Sequence, residues 1–77
     1  MGKMVLYSLE GCPYCARVRH LLDKKGLKYE IKEVPPAKPQ RREVIRLSGQ
    51  TDVPVLLDGD KVIYDDDTII PYLEKNY

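Results

Sequence analysis

At 77 residues the chain has room for one domain, taken as residues 1–77, whose small core must be well packed or stapled. Hydrophobic residues make up 43% and charged residues 32%, a globular balance and not a disordered one. A formal net charge of +1 gives no general pull toward nucleic acid or an anionic membrane, and both are excluded as expected partners.

No apolar run nears the roughly 20 residues that cross a bilayer. The opening MGKMVLYSLEG carries a lysine, but its apolar run is too short for a signal peptide. A cytoplasmic setting, where thiols are kept reduced, is expected.

In chain order, KMVLYS (3–8) is a continuous β-prone run that suits a strand buried on both faces. LEG then turns the chain. From Pro13 the pattern becomes helical, with Cys15, Val18, Leu21, Leu22 and Lys25 at helical spacing and Gly26 as the stop. LKYEIKEV (27–34) alternates Leu27, Tyr29 and Ile31 with charge, which predicts a strand. PPAKP (35–39) is a loop, and QRREVIRLSG (40–49) reads as a second helix ended by Gly49. VPVLLD and KVIYD flank the dipeptide DG, the signature of a β-hairpin. DDTIIPYLEKNY is a last helix. Pro71 within it suits only a first turn, so either the helix starts near Thr68 or its first turn is irregular.

The order is β-α-β-α-β-β-α. Strands joined by a helical crossover should run parallel, and the hairpin adds an antiparallel pair. The expected architecture is α/β, with helices covering a four-stranded mixed sheet.

The two cysteines both fall in EGCPYCAR (10–17). With Cys12 as N-cap, Pro13 takes the first helical position, where its missing N–H costs nothing. The Tyr14 and Cys15 N–H groups then face the Cys12 sulfur and, with the helix dipole, favour a thiolate there. Cys15 shares a face with Val18 and Leu22 and should be buried and more often protonated. Cys12 would therefore attack a disulfide, and Cys15 would attack the Cys12 sulfur to release product. Two cysteines are half a zinc site, but His20 lies on the wrong side of the helix to join it and reads as a surface residue. An inert thiol pair is the blander reading. A cluster bridging two chains through Cys12 is a separate one.

Val53-Pro54 opens a strand, where proline is tolerated and where a cis bond is an option. CPYC at a helix start, with T-x-V-P at a strand start about forty residues on, resembles the glutaredoxin family. LYSLEGCPYCARVRHLLDKKGLKYE and GDKVIYDDDTIIPYL also resemble the N-terminal domain of glutathione transferases. The resemblance covers nearly the whole chain. It implies a thioredoxin-like fold with helices on both faces of the sheet, and a cis-proline at Pro54 beside the cysteines. It implies that Cys12 is the nucleophile and Cys15 the resolving thiol. In a glutathione groove, Tyr14 would form a border, Val53 would pair with the cysteinyl backbone, and Arg41 would hold the glycine carboxylate. Asp66 and Asp67, or Asp65 and Asp66 on the transferase pattern, would take the γ-glutamyl end. The plain reading of the three aspartates is a solvated helix cap.

The implied activity is reduction of protein disulfides or glutathione mixed disulfides by a monomer. Glutathione would be the reducing co-substrate, disulfide-containing proteins the clients, and no metal or flavin would be tightly bound. Two alternatives stand beside it: a redoxin recharged by a thioredoxin-reductase-type flavoenzyme, and an iron–sulfur module bridging two chains. Two positions depart from the glutaredoxin pattern. Leu9 replaces the lysine common three positions before the first cysteine, and Tyr64-Asp65 replaces a glycine pair.

Overall fold

A computed structural model describes residues 4–77. Strand β1 spans Met4–Ser8, helix α1 Pro13–Lys24 and strand β2 Glu30–Glu33. A short 3-10 turn, Lys38–Gln40, precedes helix α2, Arg42–Ser48. Strands β3 (Val55–Asp58) and β4 (Lys61–Tyr64) lead to helix α3, Asp66–Asn76. The expected strand start at Lys3 lies outside the described residues.

The sheet order is β2-β1-β3-β4. β1 and β2 run parallel, as their helical crossover requires, while β3 is antiparallel to β1 and to β4. Every residue of β1 is buried, because helices cover both faces of the sheet centre. Its side chains alternate between two apolar layers. Met4 and Leu6 join Val18 and Leu22 of α1 and Ile69 and Leu73 of α3. Val5 and Tyr7 join Val44 of α2, with Val34 and Val55. The first and last helices thus each offer apolar residues four apart to the first of these layers, at the helical period.

Gly26 ends α1 as expected. Its backbone φ is 68°, and the Gly26 and Leu27 N–H groups donate to the Asp23 and Leu22 carbonyls at 3.0 and 3.1 Å. Gly49 caps α2 in the left-handed conformation.

Three expectations change. The alternation over 27–34 gives a strand only from Glu30 to Glu33, and Ile31 points outward with 41% of its surface exposed. β2 is an edge strand of the sheet, and all four of its residues are exposed. The helix predicted over 40–49 is split, because Arg41 adopts φ −83° and ψ 65° and separates the 3-10 turn from α2. Pro71 is neither in a first turn nor a cause of irregularity, since α3 begins at Asp66 and runs through it. The carbonyl that Pro71 leaves unpaired belongs to Asp67, which is exposed, so water can serve it. The buried pair Ile69 and Leu73 then decides the helix.

Candidate active site

Leu9 to Cys12 form a tight turn, closed by the Cys12 N–H donating to the Leu9 carbonyl at 3.1 Å. Gly11 sits at the turn's third position with φ 84°, a conformation glycine adopts without strain. The turn delivers Cys12 as the N-cap of α1, with Pro13 at the first helical position. The Cys12 carbonyl accepts from the Ala16 N–H at 3.1 Å, so the helix is engaged from its first residue. Its thiol makes no capping hydrogen bond. Neutral sulfur is a weak acceptor, so the amides stay available for an anion.

Both cysteines are free thiols, Cys12 partly exposed and Cys15 fully buried. Burial pushes the Cys15 thiol up, and its contact with the Cys12 side chain adds to this. The Leu9 backbone and the Ser8 hydroxyl pull in the other direction. The two sulfurs are therefore neighbours with unequal surroundings: one partly open to solvent, the other buried.

A hollow of about 320 Å³ is lined by Tyr14, Asp52, Val53, Asp65, Asp66 and Asp67. Tyr14, 57% exposed, forms its border on α1. The Val53-Pro54 peptide bond is cis, and Pro54 is fully buried. The Asp65 N–H donates to the Pro54 carbonyl at 3.2 Å, which ties this loop to the start of α3. Asp65 is the N-cap of α3, yet its side chain makes no capping hydrogen bond. Asp66 is 6% exposed and accepts from Arg17 Nη1 at 2.7 Å.

Tyr14, Val53, Asp66 and Asp67 thus share one hollow, while the buried Pro54 is not part of its lining. Asp52 and Asp65 line it too. Asp52 stands inside the T-D-V-P stretch that drew attention to the loop, and position in that motif was the available signal.

Arg41 is not brought to this hollow. It is 5% exposed, and its guanidinium is spent on backbone: Nε on the Pro35 carbonyl at 2.8 Å, Nη1 on Thr51 at 2.9 Å and Nη2 on Pro36 at 3.3 Å. A carboxylate would have to displace three carbonyls to use it. His20 is exposed, and no group of His, Cys, Asp and Glu among the described residues is arranged to hold a metal ion. No described helix is long and apolar enough to cross a membrane.

The mixed four-stranded sheet, with a dithiol at the start of its first helix, defines a thioredoxin-like domain. The family described as glutathione S-transferase, N-terminal domain, matches residues 6–77. A glutaredoxin of Pseudomonas aeruginosa is 36% identical over 60 residues, covering 78% of this chain and 71% of its own. Prostaglandin E synthase 2 of Danio rerio is 37% identical over 75 residues, 97% of this chain, which spans 19% of that longer protein. A glutathione transferase homologue from Drosophila mojavensis, solved with bound glutathione, superposes with a TM-score of 0.89 at 32% identity, over 100% of this chain and 36% of its own. The chain belongs to the glutathione S-transferase N-terminal domain family and is also similar to glutaredoxins.

Proposed function

We propose that this domain is a glutathione-dependent dithiol–disulfide oxidoreductase acting on protein disulfides or glutathione mixed disulfides. The observation that carries the reading is the unequal pair of free thiols, Cys12 open at a helix start and Cys15 buried behind it. The glutaredoxin relative and the glutathione held by the transferase homologue support it.

Cys12, as thiolate, attacks one sulfur of the client disulfide and expels the other as a thiolate, leaving a mixed disulfide. Cys15 then attacks the Cys12 sulfur. The Cys12–Cys15 disulfide forms, the second client sulfur leaves, and the proton lost by Cys15 ends on that leaving sulfur. The client gains two electrons and the dithiol loses them. Two glutathione molecules restore the dithiol by the same exchange and leave as glutathione disulfide.

In this proposal glutathione lies in the hollow between Tyr14 and the start of α3. Val53 offers its backbone to the cysteinyl residue as an added strand would. Asp66 and Asp67 take the γ-glutamyl ammonium, and the free N–H groups of α3 face its carboxylate. Arg41 serves as a brace behind the groove. The domain works as a monomer in a reducing compartment. Leu9 favours one rival, a redoxin recharged by a flavoenzyme, because an apolar side chain stands where a cation would help hold glutathione.

The test is turnover of a glutathione mixed disulfide with glutathione and glutathione reductase. Cys12→Ser should abolish it. Cys15→Ser should spare it while impairing reduction of protein disulfides. Absence of glutathione-dependent turnover in the unmutated protein, with reduction by a thioredoxin-reductase-type flavoenzyme instead, would put the rival in its place.

A further inference from the structure

Ser8 ends β1, immediately before the turn that delivers Cys12. Its backbone is fully committed to the fold: it pairs with Glu33 across the parallel ladder, and its carbonyl accepts from the Val34 N–H at 2.9 Å. Its side chain is another matter. Ser8 is 0% exposed, and its Oγ completes no hydrogen bond among the described residues. A buried hydroxyl without a partner is costly, and alanine or valine would fill a strand end at lower cost. The hydroxyl does have one polar neighbour near enough to interact with, the sulfur of Cys15.

The mismatch has a chemical reading. A neutral thiol is a weak acceptor, so a hydroxyl beside it gains little. A thiolate is a strong acceptor, and a hydrogen bond to an ionised group is about twice as strong as a neutral one. The contact that is incomplete in the resting dithiol becomes complete when Cys15 loses its proton.

We propose that Ser8 is a catalytic donor for the resolving step, its hydroxyl hydrogen-bonding Cys15 Sγ as that sulfur becomes the attacking thiolate. The role rests on the dithiol reading above. Cys15 is fully buried, so water cannot supply this donor. Of the groups acting on Cys15, Cys12 alone titrates, and in the mixed disulfide Cys12 carries no charge. The Leu9 backbone is the other stabilising neighbour, so Ser8 provides the side-chain share of the stabilisation and Leu9 the main-chain share.

The experiment uses the Cys12→Ser protein, in which Cys15 is the one thiol, and follows the NMR chemical shift of the Cys15 Cβ against pH. Adding Ser8→Ala should move the titration midpoint to higher pH, and Ser8→Thr, which keeps the hydroxyl, should restore it. With both cysteines present, Ser8→Ala should slow release of a protein client from its mixed disulfide about tenfold at a pH below that midpoint, the loss expected for one charge-assisted hydrogen bond. Ser8→Ala removes a hydroxyl that has no partner, so the fold should tolerate it. A purely structural Ser8 would leave the titration untouched. Superimposable titrations with serine and alanine at this position would overturn the proposal. The titration uses no disulfide substrate, so its outcome is separate from failure of the dithiol reading. That failure would appear as undiminished reduction of protein disulfides by Cys15→Ser.

Discussion

Arg17 and Asp66 join the first and last helices across 49 positions of sequence, with Arg17 Nη1 2.7 Å from Asp66 Oδ2. The pair is lopsided, with side-chain exposures of 57% for the arginine and 9% for the aspartate. The carboxylate is held by its surroundings and the arginine reaches in from solvent. Asp66 is the first residue of α3, where a negative charge also suits the helix dipole. One of its oxygens is occupied by Arg17, which leaves the other for an ammonium in the hollow. Asp66→Asn should raise the Michaelis constant for glutathione by about tenfold, the worth of one charge-assisted contact. Arg17→Ala should cost only about 1 kcal/mol in stability, since solvent screens the exposed half of the pair. Steady-state kinetics and urea unfolding read the two effects apart. An Asp66→Asn protein with an unaltered Michaelis constant would remove this carboxylate from the binding site.

Arg41 should matter to stability more than any other arginine. Its three donors satisfy carbonyls of Pro35, Pro36 and Thr51, which belong to loops on either side of α2. Arg41→Ala leaves those part-buried acceptors without their donor, at a cost of about 2 kcal/mol. Arg41→Lys should recover little of it, because one ammonium cannot occupy the three positions that the planar fork reaches. The urea midpoint is the readout, and a loss below about 0.5 kcal/mol for Arg41→Ala would be the pattern of a surface side chain instead.

Asp65 holds a backbone conformation that aspartate seldom adopts, φ 77° and ψ 130°. Strain of this kind costs of order 1–3 kcal/mol, and it gathers at functional sites. Asp65→Gly should raise thermal stability by about 1 kcal/mol by relieving it, less than the full strain because glycine frees the unfolded chain. If Asp65 helps receive the γ-glutamyl group, the same variant binds glutathione more weakly. A variant both less stable and unimpaired in binding would contradict both halves.

Two tyrosines should make the fold sensitive to alkali. Burial and then the Glu43 carboxylate, which accepts from the Tyr7 hydroxyl at 2.8 Å, push Tyr7 up to about 12. The hydrogen bond to Asp58, at 2.6 Å, and then burial push Tyr72 up to about 12 as well. In the unfolded chain each phenol ionises at its ordinary value of 10.0. Folding therefore favours the protonated phenols. Their contribution is whole below pH 10, shrinks as pH climbs from 10 to about 12, and is gone beyond that. Tyr7→Phe and Tyr72→Phe should each flatten part of that decline, as measured by denaturant unfolding across the same range. A stability that holds level from pH 10 to 12 would contradict the two shifts.

Local chemistry made much of this legible from residues alone. Pro13 after Cys12 marks the first helix start, Gly26 and Gly49 the ends of the first and second helices, and Asp58-Gly59 the hairpin. Each of these acts within a few residues of itself, so sequence distance and spatial distance coincide. Arg41 shows where that fails. The family resemblance implies a ligand contact there, but the direction of the side chain is decided by carbonyls at positions 35, 36 and 51, which only the folded chain assembles. Pro71 fails differently. The rule that proline belongs in a first turn gives way to the burial of Ile69 and Leu73, a tertiary gain that outweighs one missing helical hydrogen bond. Ser8 is merely the last residue of the β-prone run KMVLYS in the sequence, and only its burial beside Cys15 marks it out.

The outer position of β2 carries a consequence for life at high concentration. A bare strand edge is a template on which a second sheet can grow, and chains that expose one tend to stick to their own copies. Here the outer strand reads Glu30, Ile31, Lys32, Glu33, and all four residues are exposed. A copy laid alongside would have to strip water from two carboxylates and an ammonium to reach a single isoleucine. The same charges that keep this strand out of the core keep it from recruiting another molecule, so copies of the domain should not polymerise through the β2 edge.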